Sequence, residues 1–328
     1  MATMTLDEVR DLAVRVLSDN GCDAANAAAI ARTLQAAEGD HAHSHGLFRL
    51  PAYVKGLREA GANGAADPRP ERALPGMLTM DAQGGYAPLA LERAVPALAG
   101  AAREAGIAMC GIRRVRHFAA LWPEVEALAA EGLVGLAMTQ ALPYVAPAGG
   151  REALFGTNPL AFAWPREDGP PLAFDMATSR LARGEIMIAA RDGHAVPEDA
   201  GLDAEGRPTT DAGAILKGGV QLPFGGYKGS AIALMVELMA SSLIGERTSV
   251  EAKEGAVPGT PALGGELLIA IDPQASAGDG WRAHAQGLLA TIEGMEGARL
   301  PGARRHANRA KGGDVEVSDK VLAEIEAL

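Results

Sequence analysis

Cysteine is almost missing from this chain. Its 328 residues hold only Cys22 and Cys110, which cannot form a disulfide framework and do not make a CxxC pair. Such usage suits a reducing compartment, and the expected location is the cytoplasm. Aromatic residues are scarce too, at 4% against 48% hydrophobic residues overall. Ala and Gly therefore carry much of the apolar share, which predicts a core of closely packed backbones with small side chains. Positive charge is in deficit, with a formal net charge of -11. An acidic surface repels phosphate backbones and argues against a nucleic-acid partner, although it leaves room for a local basic pocket around one phosphorylated cofactor. No signal-peptide pattern opens the chain. The most apolar window, residues 230–244, contains Glu237 and is expected to be too short to span a bilayer, so no membrane partner is expected. Three glycine-based signatures are also absent. Without GxGxxG, GxxxxGK[ST] or GxSxG there is no motif for a Rossmann dinucleotide site, a P-loop or a hydrolase nucleophile elbow.

What remains is a pattern of alternating elements. The length suits one or two intertwined α/β domains. Thr5 and Glu8 form a capping box ahead of Val9, Leu12, Val16 and Leu17, predicting a helix over 6–17. Asp23 caps a second, Ala-rich helix running to Glu38, and residues 50–60 read as a third, with Pro51 in its first turn and Gly61 at its end. Strands are then predicted at 77–81, 107–112, 133–139, 172–174, 186–190 and 267–271. Helices are predicted at 89–105, 119–130, 230–244 (buried), 281–294 and after Ser318. Residues 61–73 and 248–264, rich in Gly, Pro and charge, read as surface loops.

Five segments carry candidate chemistry. In GDHAHSHG, residues 39–46, three alternating histidines invite a metal, but no partner ligands are visible and none is assigned. The segment reads either as a polar helix end or as a hydrogen-bonded Ser44–His45 pair followed by Arg49, whose planar fork matches a carboxylate. RHFAALW, residues 116–122, leaves a strand and opens a helix, where backbone amides bind phosphate well. FGTNP, residues 155–159, reads as a structural turn. FDMATS, residues 174–179, ends an apolar strand in polar groups ahead of Arg183, Gly184 and Glu185, and reads equally as a helix cap. LPFGGYKG, residues 222–229, offers flexible glycines and a lysine at a helix entrance, which suit an anion.

Taken together and in this order, SHGLFRLPAYV, HFAALW, FGTNPLAFAWP, FDMATS, GRPTTD and LPFGGYKG resemble the malate/L-lactate/ureidoglycolate/sulfolactate dehydrogenase family. Residues 40–49, HFAALWPEVE and ARGEIMIAA are similar to its Δ1-piperideine-2-carboxylate/Δ1-pyrroline-2-carboxylate reductase branch. The resemblance implies an α/β fold of the L-sulfolactate dehydrogenase kind. A non-Rossmann, mixed-sheet NAD(P)-binding domain over 116–298 would join a helical substrate and dimer region over 1–115 completed by 299–328. It also implies a homodimer and NADPH as cofactor, with NADH as the alternative. Ser44 and His45 would form a relay at the substrate, with Arg49, Arg183 and Gly184 binding it. Glu185 would be the proton donor, raised by partial burial, and His117 the acid/base residue in the dehydrogenase branch. His117, Phe118, Ala119, Ala120, Leu121, Asp175, Met176, Ala177, Gly225, Gly226, Lys228, Pro301, Gly302, Arg304 and Arg305 would line the cofactor, with Arg304 and Arg305 pairing with a 2′-phosphate. Three positions depart from the branch. Glu185 stands where Asp is usual, Gln140 where Asn is common, and Pro143 where a hydroxyl residue touches substrate. The implied reaction is reduction of a cyclic imine 2-carboxylate to L-pipecolate or L-proline. The alternatives are a 2-hydroxy-acid dehydrogenase and a non-catalytic binding protein on the same fold.

Overall fold

Small side chains set the spacing of the central layers. The largest buried cluster joins Ala87, Ala90, Ala94, Ala101 and Ala102 of one helix to Ala108, Ala137, Ala161, Ala163, Ala173 and Ala270 of five strands, and among the described residues no aromatic ring enters it. This is the packing that an Ala-rich, ring-poor composition predicts. The computed structural model describes residues 1–117 and 120–328.

The main sheet has seven strands in the order Pro70–Leu74, Met77–Asp81, Ile107–Arg116, Leu263–Ile271, Val134–Thr139, Leu160–Trp164 and Leu172–Met176. Only Met77–Asp81 and Ile107–Arg116 pair in parallel, across the helix Ala87–Ala105, as a crossover connection requires. The other neighbours are antiparallel. Ile107–Arg116, Val134–Thr139 and Leu172–Met176 therefore run the same way and end at one edge, where Leu263–Ile271 begins. A second core joins the helices Leu6–Asp19, Ala24–Gly39 and Leu50–Glu59 to the helix Asp319–Glu326. There the strand Ala2–Met4 pairs with Val315–Val317.

Several expectations need correction. Residues 186–190 are not a strand but lie within the helix Arg183–Asp192, which ends at Gly193 in the left-handed region. A short apolar run fits either element, and here only Gly184 and Ile186 of the helix are fully buried. The apolar helix begins earlier than expected, as Tyr227–Ala240 followed by a 3-10 turn over Ser242–Ile244, and the stretch Tyr227–Ile244 is long and apolar enough by composition to cross a membrane. It is also less buried. Ala233, Val236, Glu237 and Ala240 face inward, while Leu234, Met235 and Leu238 are exposed. The expected boundary at residue 116 falls on the last residue of the strand Ile107–Arg116, and strands from both sides of it pair in the one sheet. The 61–73 loop contains the edge strand Pro70–Leu74.

Candidate active site

The Ser44–His45 turn is held from beneath by one carboxylate. Glu38, buried at the end of the helix Ala24–Gly39, accepts the Leu47 N–H at 2.7 Å and approaches His43 Nδ1 at 2.6 Å. A Cβ at Gly46 would stand 2.1 Å from Glu38 Oε1, so only glycine lets the chain pass. This clamp forms the 3-10 turn His43–His45, and Ser44 Oγ lies 3.1 Å from His45 Nδ1. The three histidines do not converge: His43 goes to Glu38 and His45 to Ser44. His45 is half-buried and lies edge-on to Trp122 with ring centroids 6.1 Å apart. Burial, with the positive charges of Arg49 and His117 nearby, pulls its pKa down to about 3. It is therefore neutral at ordinary pH.

Arg49 is buried in the same wall. Burial pulls its guanidinium down to about 10, against the opposing influence of Tyr53 and Tyr144, so it stays charged. The helix Arg183–Asp192 begins against it: a Cβ at Gly184 would lie 2.7 Å from Arg49 Nη2 and 3.3 Å from Ser44 Cβ. Arg183 stacks 4.0 Å over the Tyr144 ring and reaches Gln221 Oε1 at 3.4 Å. Two guanidinium groups and a helix start thus converge where a small carboxylate can sit. Glu185 does not match its expected role. It is exposed, and its carboxylate accepts the Ala182 N–H at 3.1 Å. As the third residue of a helix it is drawn back to the amide at the helix start and is not buried among apolar neighbours.

At the end of Ile107–Arg116 stands His117. Its Nε2 is 3.6 Å from Glu124 Oε1 and 3.7 Å from Glu266 Oε2, with side chains 4%, 2% and 0% exposed. Burial opposes its charge, but Glu266, Glu124 and Asp175 outweigh that effect and raise it to about 9. Asp175 closes the group from the end of Leu172–Met176, where its Oδ2 accepts the Leu121 N–H at 2.7 Å. Burial pushes its carboxyl up to about 6. Glu124 and Glu266 were not singled out in the sequence. Yet Glu266 is the one charged residue in LGGELLIAI, a strand otherwise apolar, and that contrast was a legible signal. Gln140, a departure from the family pattern, is buried nearby, and a Cβ at Gly264 would stand 1.6 Å from its Nε2. Pro143 is half-buried beside Tyr144 in sequence. Of the HFAAL segment, Phe118 and Ala119 lie outside the described residues, and Ala120 is buried.

The other cofactor candidates fall into two groups. The LPFGGYKG turn is joined to the FDMATS segment, because Phe224 N–H donates to Thr178 O at 3.0 Å. Gly225 and Gly226 have φ of 55° and 62° with open space where a Cβ would project. The exposed Lys228 follows them in the first turn of the helix Tyr227–Ala240. Open backbone, a helix start and a lysine suit a pyrophosphate, while Met176 is exposed and Ala177 half-buried at the adjoining strand end. The C-terminal candidates do something else. Arg305 donates to Glu126 at 2.6 Å and lies 4.9 Å over the Trp122 ring. Arg309 grips the buried Asp40 at 2.9 and 2.6 Å and Glu126 at 2.9 Å. Arg305 is thus committed to an acidic clasp, which corrects its assignment to a 2′-phosphate. Arg304 is exposed, Pro301 O accepts from Ala173 N–H at 3.4 Å, and a Cβ at Gly302 would lie 2.6 Å from Ala173 O. The FGTNP turn is structural: buried Asn158, at φ 35°, donates to Glu237 Oε2 at 2.7 Å.

Comparison with known proteins agrees with this architecture. The family model for malate/L-lactate dehydrogenase matches residues 4–326. A Δ1-pyrroline-2-carboxylate reductase of Pseudomonas fluorescens is 47% identical over 333 residues, covering 99% of this chain and 98% of that protein. The crystal structure of a Δ1-piperideine-2-carboxylate reductase from Pseudomonas syringae superposes with a TM-score of 0.94 at 40% identity, covering 100% of this chain and 99% of that one. A sulfolactate dehydrogenase from Methanocaldococcus jannaschii superposes with a TM-score of 0.88 at 28% identity, covering 99% and 96%.

Proposed function

The chain belongs to the malate/L-lactate dehydrogenase family of NAD(P)-dependent oxidoreductases, and on that premise we propose that it reduces a cyclic imine 2-carboxylate, Δ1-pyrroline-2-carboxylate or Δ1-piperideine-2-carboxylate, to the L-amino acid with NADPH. The observation that carries this reading is the buried Arg49, set against Gly184 and Ser44, in a chain similar to such reductases over its whole length.

Gly225, Gly226 and Lys228 would hold the pyrophosphate of a reduced nicotinamide, which would supply the hydride when bound. The protein supplies orientation and a proton. Arg49, joined by Arg183, holds the substrate carboxylate, so that one face of the C=N bond is presented. Ser44 and the neutral His45 make a hydrogen-bonding wall beside it. The proton that must reach nitrogen comes from His117. Exposed Glu185 is poorly placed to give it, and His45 is uncharged at neutral pH, whereas His117 is charged among buried acids. An imidazolium held to about pH 9 suits an acid for reduction better than a base for alcohol oxidation. The dehydrogenase reading is therefore second.

The finer readings follow the same line. Arg304 is an exposed cation available to a 2′-phosphate, which supports NADPH over NADH. Exposed Leu234, Met235 and Leu238 on one helix face support a homodimer, and the two reduced, buried cysteines suit the cytoplasm. The test is a panel of both cyclic imines, pyruvate and oxaloacetate with NADPH and NADH, and lactate and malate with the oxidised cofactors. Imine reduction with NADPH is expected. Oxidation of hydroxy acids with no imine turnover would overturn the reading in favour of the dehydrogenase.

A further inference from the structure

We propose that Glu266 and Glu124 are a buried carboxyl pair that shares a proton and, through the one negative charge left to it, keeps His117 charged and oriented as the donor to the substrate nitrogen. The inference rests on imine reduction as proposed above, and it adds two positioning residues behind the donor.

The geometry is that of an interior with too many acids. Glu266 projects from Leu263–Ile271, Glu124 from the first turn of the helix Trp122–Ala130, Asp175 from the end of Leu172–Met176, and all three face the one imidazole of His117. The remaining titratable neighbour of that ring is His45, which is neutral, and the positive charge of Arg305 also acts on Asp175. Three ionised carboxylates against one imidazolium would leave two uncompensated negative charges in a dry space, at a desolvation penalty of several kcal/mol per ion, roughly. Asp175 has the Leu121 amide. Neither Glu266 oxygen accepts a hydrogen bond among the described residues, nor does Glu124 Oε1. The donor atoms of His117, Glu124 and Glu266 lie within 4.8 Å of one another. A proton held between the two glutamates removes one charge and satisfies an oxygen on each side, and burial accordingly drives the Glu266 carboxyl well above the usual carboxylate range.

The ring orientation decides which nitrogen donates. Nε2 faces the carboxyl pair, and Nδ1 is the nitrogen the proposal assigns to the substrate. As hydride adds to the imine carbon and the C=N π electrons move to nitrogen, Nδ1–H gives its proton to that nitrogen. The neutral ring keeps Nε2–H against the carboxyl pair, and Nδ1 regains a proton from solvent as product leaves. One hydride and one proton enter the substrate, and the protein returns to its starting state.

Two measurements on Glu266→Gln, with Glu124→Gln as a second variant should one fail to fold, test the idea. NMR titration of imidazole-labelled protein, with His117 assigned from a His117→Asn sample, needs no substrate. His117 is expected to stay charged to about pH 9 in the native chain and to lose its charge at least tenfold more readily, one pH unit lower, in either glutamine variant. The alkaline limb of kcat/KM for imine reduction should move by the same amount, with thermal stability retained. An unchanged His117 titration overturns the proposal, as does activity lost equally at every pH, or a divalent metal found in stoichiometric amount by elemental analysis of the native protein. A shifted titration in a protein that reduces no imine would instead sink the proposed reaction while leaving the proton-sharing pair standing.

Discussion

Gly184 and Arg49 are in contact so close that the glycine has no room for a side chain: a Cβ there would stand 2.7 Å from Arg49 Nη2. Because position 184 lies in the first turn of a helix, alanine would favour the local backbone by ~0.5–1 kcal/mol while pushing the guanidinium aside. Gly184→Ala should therefore keep or slightly raise Tm, yet lower kcat/KM by up to about 100-fold, the usual cost of a displaced positioning group. Steady-state kinetics beside a thermal melt would settle it, and full activity would show that Arg49 does not need its present position.

Arg49 itself should not tolerate lysine. An ammonium keeps the charge but loses the planar two-toothed grip, and a lost charge-assisted hydrogen bond costs about 1.5–3 kcal/mol. Arg49→Lys should raise KM for the carboxylate substrate by about 10- to 100-fold, the same energy expressed as a ratio, with KM for the cofactor unchanged. A loss confined to the cofactor would place the guanidinium on the wrong ligand.

Much of this was readable in the sequence, for reasons particular residues show. Thr5 and Glu8 cap the first helix as the pattern demands, and Met77–Asp81 is the predicted strand to the residue. The Ser44–His45–Arg49 wall follows from adjacency along one turn. Glu266 escaped because its importance comes from neighbours 142 and 149 positions earlier, Glu124 and His117, which only strand pairing brings near. Arg305 was misread because an arginine in a basic stretch looks the same whether it awaits a phosphate or already holds Glu126. Glu185 was misread because the capping geometry of a helix start was hidden by an apparent strand.

The Arg305 assignment yields its own check. Arg305→Ala should lower Tm, since Glu126 loses its 2.6 Å partner, but leave the ratio of NADPH to NADH efficiency as it was. Arg309→Ala should cost about 1–2 kcal/mol, less than a fully buried pair because Arg309 is half exposed. Differential scanning calorimetry of both variants would decide, and a collapse of NADPH preference in Arg305→Ala would restore the 2′-phosphate role.

Stability should also fall in alkali. His117 is raised from 6.5 to about 9, so the folded state binds its proton more tightly than the unfolded chain does. That contribution is complete below pH 6.5 and disappears as pH rises through about 9. Denaturant midpoints taken across this window should decline, and the decline should be smaller in Glu266→Gln. A flat profile in the native chain would mean that His117 is not charged in the fold.

The pairing of Ala2–Met4 with Val315–Val317 has a consequence for biosynthesis. The strand Ala2–Met4 finds its partner only after the ribosome has made the intervening chain out to Val317. The helical layer that carries Ser44, His45 and Arg49 is thus left with an open seam until then, and a nascent chain arrested before Val315 would carry the pocket's residues without the strand that closes their scaffold.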